Sequence, residues 1–258
     1  MAKSKSKDAA EAPKTETPPA PIKKKSAFRE YVEAIGIALV LALTLRFFVI
    51  EAFKIPSGSM IETLAIGDFI FVNKFAYRSE IPYSLLGVRI PGGGTTLKEW
   101  SEPERGDVMV FRYPNDPMTD YIKRVIGLPG DEIRLRRNEL YVNGEKYARS
   151  FVRSIEYTDK NCVPNKGRVY MENDGSGEYP IILRDGPDAF ENYGPITVKP
   201  GHVFVLGDNR DNSADSRTGW QVPMGNIKGE ALFVWLSVNR CGGFMDRIRW
   251  SRFGHGVK

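Results

Sequence analysis

One apolar run decides how this chain can be organised. From Ala34 the sequence reads AIGIALVLALTL to Leu45, is interrupted by Arg46, and resumes as FFVI to Ile50, 17 residues in all. That is the short end of the roughly 17 to 25 residues that cross a bilayer as a helix. Arg46 stands near one end, where its long side chain can reach the headgroups, so its cost is far below that of a central charge. A buried core helix and a cleaved signal peptide would use the same kind of run. The residues that follow, FFVIEAFK, are bulky and offer no small-x-small cleavage site, which favours an uncleaved anchor. Lys23, Lys24, Lys25 and Arg29 precede the run and only Lys54 follows it closely. The excess of cations on the leading side keeps the N-terminus in the cytoplasm and puts everything after Ile50 outside.

Charge on the rest of the chain narrows the partners. The whole carries a formal +5, yet residues 1–30 alone hold eight Lys or Arg against four Asp or Glu. The remainder is nearly neutral, and the basic excess lies in a Lys-, Ala-, Pro- and Ser-rich tail that cannot bury enough apolar surface to fold. Residues 1–28 read as a disordered cytoplasmic arm, and nucleic acid, which needs cations clustered on a folded face, is not an expected partner. Ser4 and Lys7 fall in an S-x-x-K spacing inside that arm, a coincidence given the setting.

Beyond the span, assigned to 29–51, short runs such as DFIFVNKF, GDVMVFRY, DYIKRVIGL, GHVFVLG and EALFVWLSV are punctuated by Pro91-Gly92, Pro129-Gly130, Asn143-Gly144 and Pro200-Gly201. Apolar alternation broken by turn dipeptides predicts a mostly β, antiparallel body. Residues 52–133 and 200–245 read as two parts of one β core. Between them 134–199, richer in Asn, Gly, Asp and Tyr, read as an inserted β subdomain, and 246–258 as a C-terminal tail. Tyr83, Leu85, Leu86 and Val88 form either a surface that dips into a bilayer or part of the core.

The candidate chemistry is constrained by what is scarce. The two cysteines, Cys162 and Cys241, form no C-x-x-C, and they fit either one disulfide in an exported domain or two free thiols. The only histidines are His202 and His255, so no H-E-x-x-H zinc site exists and a histidine base has few candidates. Lys123 stands in YIKRVI, a run apolar on both faces if extended. A lysine wedged there loses hydration, which moves its pKa down from roughly 10.4 and frees it to act as a base. On that segment alone a solvated edge lysine is the better fit, and the pairing with a serine is what favours a base. Ser57 and Ser59, in IPSGSM just past the apolar run, are ordinary turn residues by composition. A serine needs a positioned base to become a nucleophile, and a neutral lysine is the economical one here. Arg124, on the face opposite Lys123, needs a carboxylate if it is buried, and the loop GDNRDNSADSR, 207–217, offers Asp208, Asp211 and Asp215 for it and a hydroxyl that could orient the lysine.

Taken together, IPSGSM (55–60), RGDVMVFRYP (105–114), YIKRVIGLPGD (121–131) and GDNRDNSADSR (207–217), in this order behind an apolar span, closely resemble the type I bacterial signal peptidases, or leader peptidases. The resemblance implies a serine endopeptidase with a signal-peptidase-type antiparallel β core interrupted by a smaller β subdomain, working without metal or organic cofactor. By motif, Ser59 matches the nucleophile, Lys123 the general base and Ser57 the side-chain oxyanion donor. Ser213 matches the hydroxyl that orients the lysine, Asp208 the partner of Arg124, and Asp215 and Arg217 a pair holding the loop. Ile55, Pro56, Met60, Leu64, Tyr121 and Ile122 match the lining of the pocket for the small residue before the cut. Glu62 departs from the family pattern, which has proline there.

The same resemblance implies exported preproteins as substrates, a lipid bilayer as setting, proximity to the secretion translocon, and a single-pass enzyme of the bacterial cytoplasmic membrane whose catalytic domain faces outward. Two other readings compete. Self-cleaving repressor proteases share a Ser/Lys pair but need a DNA-binding N-terminus, where this chain has an apolar span. A tethered β domain that only binds exported peptides fits the composition but leaves the Ser/Lys blocks without a purpose.

Overall fold

The computed structural model describes residues 27–44, 49–80, 84–85, 88–89, 91–93, 95–184, 191–243 and 246–257. The expected disordered arm, but for its last two residues, and the Ser4/Lys7 spacing lie outside the described residues, as do the side chains of Tyr83, Leu85, Leu86 and Val88. Two compact units divide the chain, residues 1–41 and 42–258.

The first unit holds most of helix α1 (Ala27–Thr44). Its opening turns carry Arg29, Glu30 and Glu33, with Arg29 Nε donating to Glu33 at 3.1 Å one turn on. The apolar part, from Ala34 to Thr44, rises roughly 16 Å at about 1.5 Å per residue, against roughly 30 Å of bilayer hydrocarbon. Among the described residues no helix is long and apolar enough to cross a membrane. Residues 45–48, which continue the apolar run, lie outside the described residues. The span assigned to 29–51 also ends differently. Ile50 and Glu51 are strand, because the β-branched and aromatic residues of IEAFK pair with the next segment.

Past the end of α1, the described residues of the second unit are mainly β, with short 3-10 turns at Arg210–Asn212, Ser216–Thr218, Met224–Asn226 and Trp250–Arg252. Its strands in chain order are β1 (Ile50–Lys54), β2 (Asp68–Asn73), β3 (Arg78–Glu80), β4 (Ser84–Leu85), β5 (Val88–Arg89), β6 (Thr96–Glu99), β7 (Val108–Tyr113) and β8 (Asp116–Gly127). Next come β9 (Glu132–Arg136), β10 (Glu139–Val142), β11 (Glu145–Lys146), β12 (Ala148–Thr158), β13 (Pro164–Asn173), β14 (Glu178–Leu183) and β15 (Tyr193–Thr197). The last three are β16 (His202–Leu206), β17 (Val222–Pro223) and β18 (Ile227–Ser237). Among the described residues the largest sheet runs β1-β2-β18-β7-β8-β16-β17, and all of its pairings are antiparallel. Strands β9–β15 make separate sheets, β11-β10-β9-β15 and β12-β13-β14.

Side-chain alternation explains which strands face water. β2 and β9 bury every second residue, as strands with one covered face do. β8 is different, with its first half exposed and Ile122–Gly127 buried. That second half is flanked by β7 and then β16, and its two faces enter different apolar clusters. Ile122 packs with Ile55, Met60, Leu64 and Val234, while Val125 packs with Met109, Phe111 and Val205. The reading of YIKRVI as apolar on both faces therefore matches where the strand lies. Between β10 and β11 the Asn143-Gly144 turn has φ of 52° and 83°, the left-handed pair that a two-residue hairpin requires.

Two further features tie distant segments together. A disulfide joins Cys162, in the turn between β12 and β13, to Cys241, just past β18. The stretch from 246 packs back on the sheet, with Val238 bridged to Ile248 and Phe233 to Gly256. Its Arg252 forks onto Asp68, Nε to Oδ1 at 3.1 Å and Nη2 to Oδ2 at 2.7 Å, and also donates to the Thr63 carbonyl at 2.9 Å.

Candidate active site

The connection between β1 and β2 carries both serines. Its base is closed by Ile55 N–H donating to the Asp68 carbonyl at 2.8 Å and Gly67 N–H to the Ile55 carbonyl at 2.9 Å. Met60 and Leu64 anchor it from inside, each with no exposed surface. Burying two such side chains is worth about 1.5 to 3 kcal/mol apiece, enough to hold a segment that has no ladder of its own. Ser59 sits just before Met60 and is 7% exposed, whereas Ser57 is on the surface.

Opposite it, β8 delivers Lys123 to the same place. Its Nζ donates to Ser59 Oγ at 2.9 Å and to the Ile122 carbonyl at 2.8 Å, and lies 5.2 Å from the centre of the Tyr121 ring. The side chain is 4% exposed. Burial pushes its pKa down to about 8, against the opposing pull of Asp215 and Asp208. A hydroxyl within hydrogen-bond reach of an amine that can shed its proton near neutrality is the arrangement nucleophilic catalysis requires.

Behind the pair lies a buried ionic network. Arg124 forks onto Asp208, Nε to Oδ1 at 2.9 Å and Nη2 to Oδ2 at 2.7 Å, with both side chains essentially inaccessible. Thr63 donates its hydroxyl to Asp208 and receives Arg124 Nη2 at 3.2 Å. Arg217 forks onto Asp215 at 2.8 and 2.9 Å, and Asp215 also accepts the Gly207 N–H at 3.0 Å. Arg210 pairs with Glu172 of β13, whose carboxylate also takes the Tyr179 hydroxyl at 2.9 Å. Three arginines thus meet three carboxylates, the condition under which charges survive in an interior.

Ser213 departs from expectation. Its Oγ is buried and forms no hydrogen bond among the described residues. Lys123 Nζ makes its contacts with Ser59 Oγ and the Ile122 carbonyl. Gly207 is tight, since a Cβ there would stand 2.2 Å from Ser213 Oγ and 2.6 Å from the Ser59 carbonyl oxygen. Of the expected pocket residues, Ile55, Met60, Leu64 and Ile122 belong to one buried cluster, while Pro56 is exposed and Tyr121 half-buried against Tyr113.

Several site residues carry no signal that sequence reasoning could use. Asn209 is fully buried and contacts the backbone on both sides of Ser59, and Tyr157 of β12 reaches the same asparagine. Glu62, the departure from the family pattern, accepts Arg153 Nη2 of β12 at 2.9 Å. The composition of the 207–217 loop marks it as polar, but nothing in it distinguishes Asn209 from Asn212. Among the described residues no group of three His, Cys, Asp or Glu side chains is placed to hold a metal ion.

Comparison with known proteins gives the chain its family. Residues 28–236 match the family described as signal peptidase, peptidase S26. Signal peptidase I of Pseudomonas aeruginosa is 41% identical over 228 residues, covering 84% of this chain and 75% of that protein. The Pseudomonas fluorescens and Rickettsia typhi proteins of the same name are 40% and 39% identical, covering 84% and 83% of this chain and 75% and 80% of theirs. The chain belongs to the signal peptidase family, peptidase S26, and is a signal peptidase of type I.

Proposed function

We propose that this chain is a membrane-anchored serine endopeptidase that removes signal peptides from exported preproteins, with Ser59 as nucleophile and Lys123 as general base. The observation that carries the reading is the 2.9 Å contact between Lys123 Nζ and Ser59 Oγ in a place where the lysine is 4% exposed. In its neutral form Lys123 takes the Ser59 hydroxyl proton as Oγ attacks the scissile carbonyl. The oxyanion is received by the Ser59 N–H and the hydroxyl of Ser57, which is exposed. Collapse breaks the C–N bond, Lys123 returns the proton to the leaving amine, and an ester on Ser59 remains. Lys123 then deprotonates a water, which attacks the ester and regenerates the serine.

Substrate selection follows from a floor that is already filled. Ile55, Met60, Leu64 and Ile122 are packed as core, so the surface formed with Pro56 and Tyr121 offers an apolar contact but little depth. A small side chain fits before the cut and a larger one has nowhere to go. The preprotein lies extended alongside a core strand with its signal helix in the bilayer. Anchoring rests on α1 and the apolar residues that continue it. Ile35, Ile37, Leu39, Val40 and Leu41 are exposed around α1, which for so apolar a helix calls for a non-aqueous neighbour. The cationic residues before it keep the N-terminus in the cytoplasm of the bacterial cell, with 52–133 and 200–245 as the catalytic core and 134–199 as its insertion, near the translocon that delivers substrates.

The test is mass spectrometry of a preprotein incubated with the full chain in detergent. Wild type yields one cut after a small residue, and Ser59→Ala and Lys123→Ala yield none. Product from either variant at the wild-type rate would sink the assignment.

A further inference from the structure

A side chain with no role in the scheme above grips the backbone beside Ser59, where the Gly58 carbonyl also accepts the Ile61 N–H at 3.3 Å. Asn209, at the end of the turn after β16, has no exposed surface. Its backbone N–H donates to the Ser59 carbonyl at 3.0 Å, and its side-chain Nδ2 donates to the Gly58 carbonyl at 3.0 Å. The second Nδ2 hydrogen faces the Tyr157 hydroxyl at 3.3 Å, which also accepts Arg184 Nε at 3.1 Å. The amide orientation is set by chemistry, since turning it over would put one acceptor against the Gly58 oxygen. Asn209 Oδ1 is then left buried with no partner among the described residues. An orphaned acceptor costs about 1 to 3 kcal/mol, so the site keeps this side chain at some expense to stability.

What the two contacts fix can be read from peptide geometry. The Gly58 carbonyl and the Ser59 N–H belong to one planar trans unit and point in opposite directions. Gripping the carbonyl therefore aims the N–H the other way, away from Asn209. The Ser59 carbonyl belongs to the next peptide plane. With both planes held, φ and ψ of Ser59 are fixed, and with them the direction of its Cα–Cβ bond.

We infer that Asn209 is a positioning residue that aims the Ser59 N–H as the backbone half of the oxyanion site, and that Tyr157 of hairpin β12–β13 completes its grip. The inference rests on Ser59 being the nucleophile. It gives part of the 134–199 segment a direct consequence for catalysis. Ile155 and Tyr157 of the same hairpin also pack with Ile61 and Ile66 of the serine segment, so the hairpin bears on that segment by apolar contact as well.

The full chain in detergent tests this with Asn209→Ala, Asn209→Asp and Tyr157→Phe. Each is measured for preprotein kcat and KM and for affinity of a peptide aldehyde ending in alanine. In that adduct Ser59 Oγ bonds to the aldehyde carbon, the hydroxyl proton passes to Lys123, and the aldehyde oxygen becomes the oxyanion. Expected for Asn209→Ala is a kcat loss of about 10²-fold, the worth of an oxyanion donor. KM stays unchanged, aldehyde affinity falls in parallel with kcat, and the acid limb of the pH profile does not move.

Asn209→Asp, which keeps the shape but sets an acceptor against the Gly58 oxygen, should lose at least as much kcat as alanine. A merely structural residue would show the reverse order. Tyr157→Phe, which leaves the fold intact, should lose about fivefold, the worth of one neutral hydrogen bond. Unchanged kcat and aldehyde affinity in folded Asn209→Ala would overturn the inference, as would full kcat in Asn209→Asp. Failure of the nucleophile assignment itself would show separately, as aldehyde binding or turnover that survives Ser59→Ala.

Discussion

Replacing Lys123 by methionine isolates the free energy that burial stores in this one group. The folded lysine titrates at about 8 instead of the ordinary 10.5, because burial disfavours its charged form. At pH 7 that leaves about one molecule in ten with a neutral amine, where an ordinary lysine would leave about one in 3,000. The gain in competent base is on the order of 300-fold. The same shift is a stability term. Between pH 8 and 10.5 the folded lysine has lost its proton while the unfolded one keeps it, so the unfolded state binds more protons and stability rises with pH. Below pH 8 both states are protonated and the penalty is constant at about 3 kcal/mol. Methionine has neither term.

The assay is denaturant unfolding of wild type and Lys123→Met, followed by tryptophan fluorescence at intervals from pH 7 to 10.5. Subtracting one series from the other removes every other titration. Wild type should gain about 3 kcal/mol on the variant across this window, with a local slope approaching about 1.4 kcal/mol per pH unit. The offset at pH 7 also contains the lost Nζ contacts to Ser59 and Ile122, so the pH dependence carries the test, not the offset. A difference that stays flat to within about 1 kcal/mol would mean that Lys123 titrates in the folded protein as it does in water, and the case for it as base would fail.

Two further perturbations follow from the site and its ties. Arg124→Met leaves Asp208 buried without its fork and should cost about 3 to 5 kcal/mol, seen as a lowered denaturant midpoint. In whatever fraction folds, the unneutralised carboxylate should move the acid limb of kcat/KM upward. Opening the Cys162–Cys241 bridge with the paired serine substitutions releases a loop of 79 residues and should cost up to about 4.5 kcal/mol on chain-entropy grounds. Thiol alkylation of the denatured wild type under non-reducing conditions should label neither cysteine.

Much of the site was legible because its chemistry is tied to residue type. The run YIKRVI alone leaves Lys123 open to a solvated edge position, and only the serine segment and the loop 207–217 beside it favour a buried base; the structure buries it opposite Met109 of β7. An arginine on the opposite face of the same strand demands a carboxylate, and Asp208 meets it. The β character of the body was legible from alternation and turn dipeptides. What escaped were contacts made to backbone or chosen by distant geometry. Asn209 grips carbonyls, which every residue has, and Tyr157 reaches it from 52 positions away. The cysteines were undecided because pairing depends on a Cα separation, 5.5 Å here, that sequence does not contain. Ser213 was assigned by motif alone, and the motif does not fix whether its buried hydroxyl finds a partner, which among the described residues it does not.

The ionic network has a purpose that neither half of the site explains alone. Asp208 and Asp215 both act on Lys123, and each pulls its pKa back up, towards the charged form that cannot serve as base. Unpaired, two carboxylates this close would stabilise the ammonium and undo what burial achieves. Arg124 and Arg217 each fork onto one of them, so the field they present to the lysine is that of ion pairs and not of bare charges. An ion pair's field falls off faster with distance than a single charge's, while desolvation of Lys123 is undiminished. The arginines therefore let the loop hold its shape with charged groups next to an amine that must remain neutral. Burial lowers the Lys123 pKa and outweighs the two carboxylates that raise it.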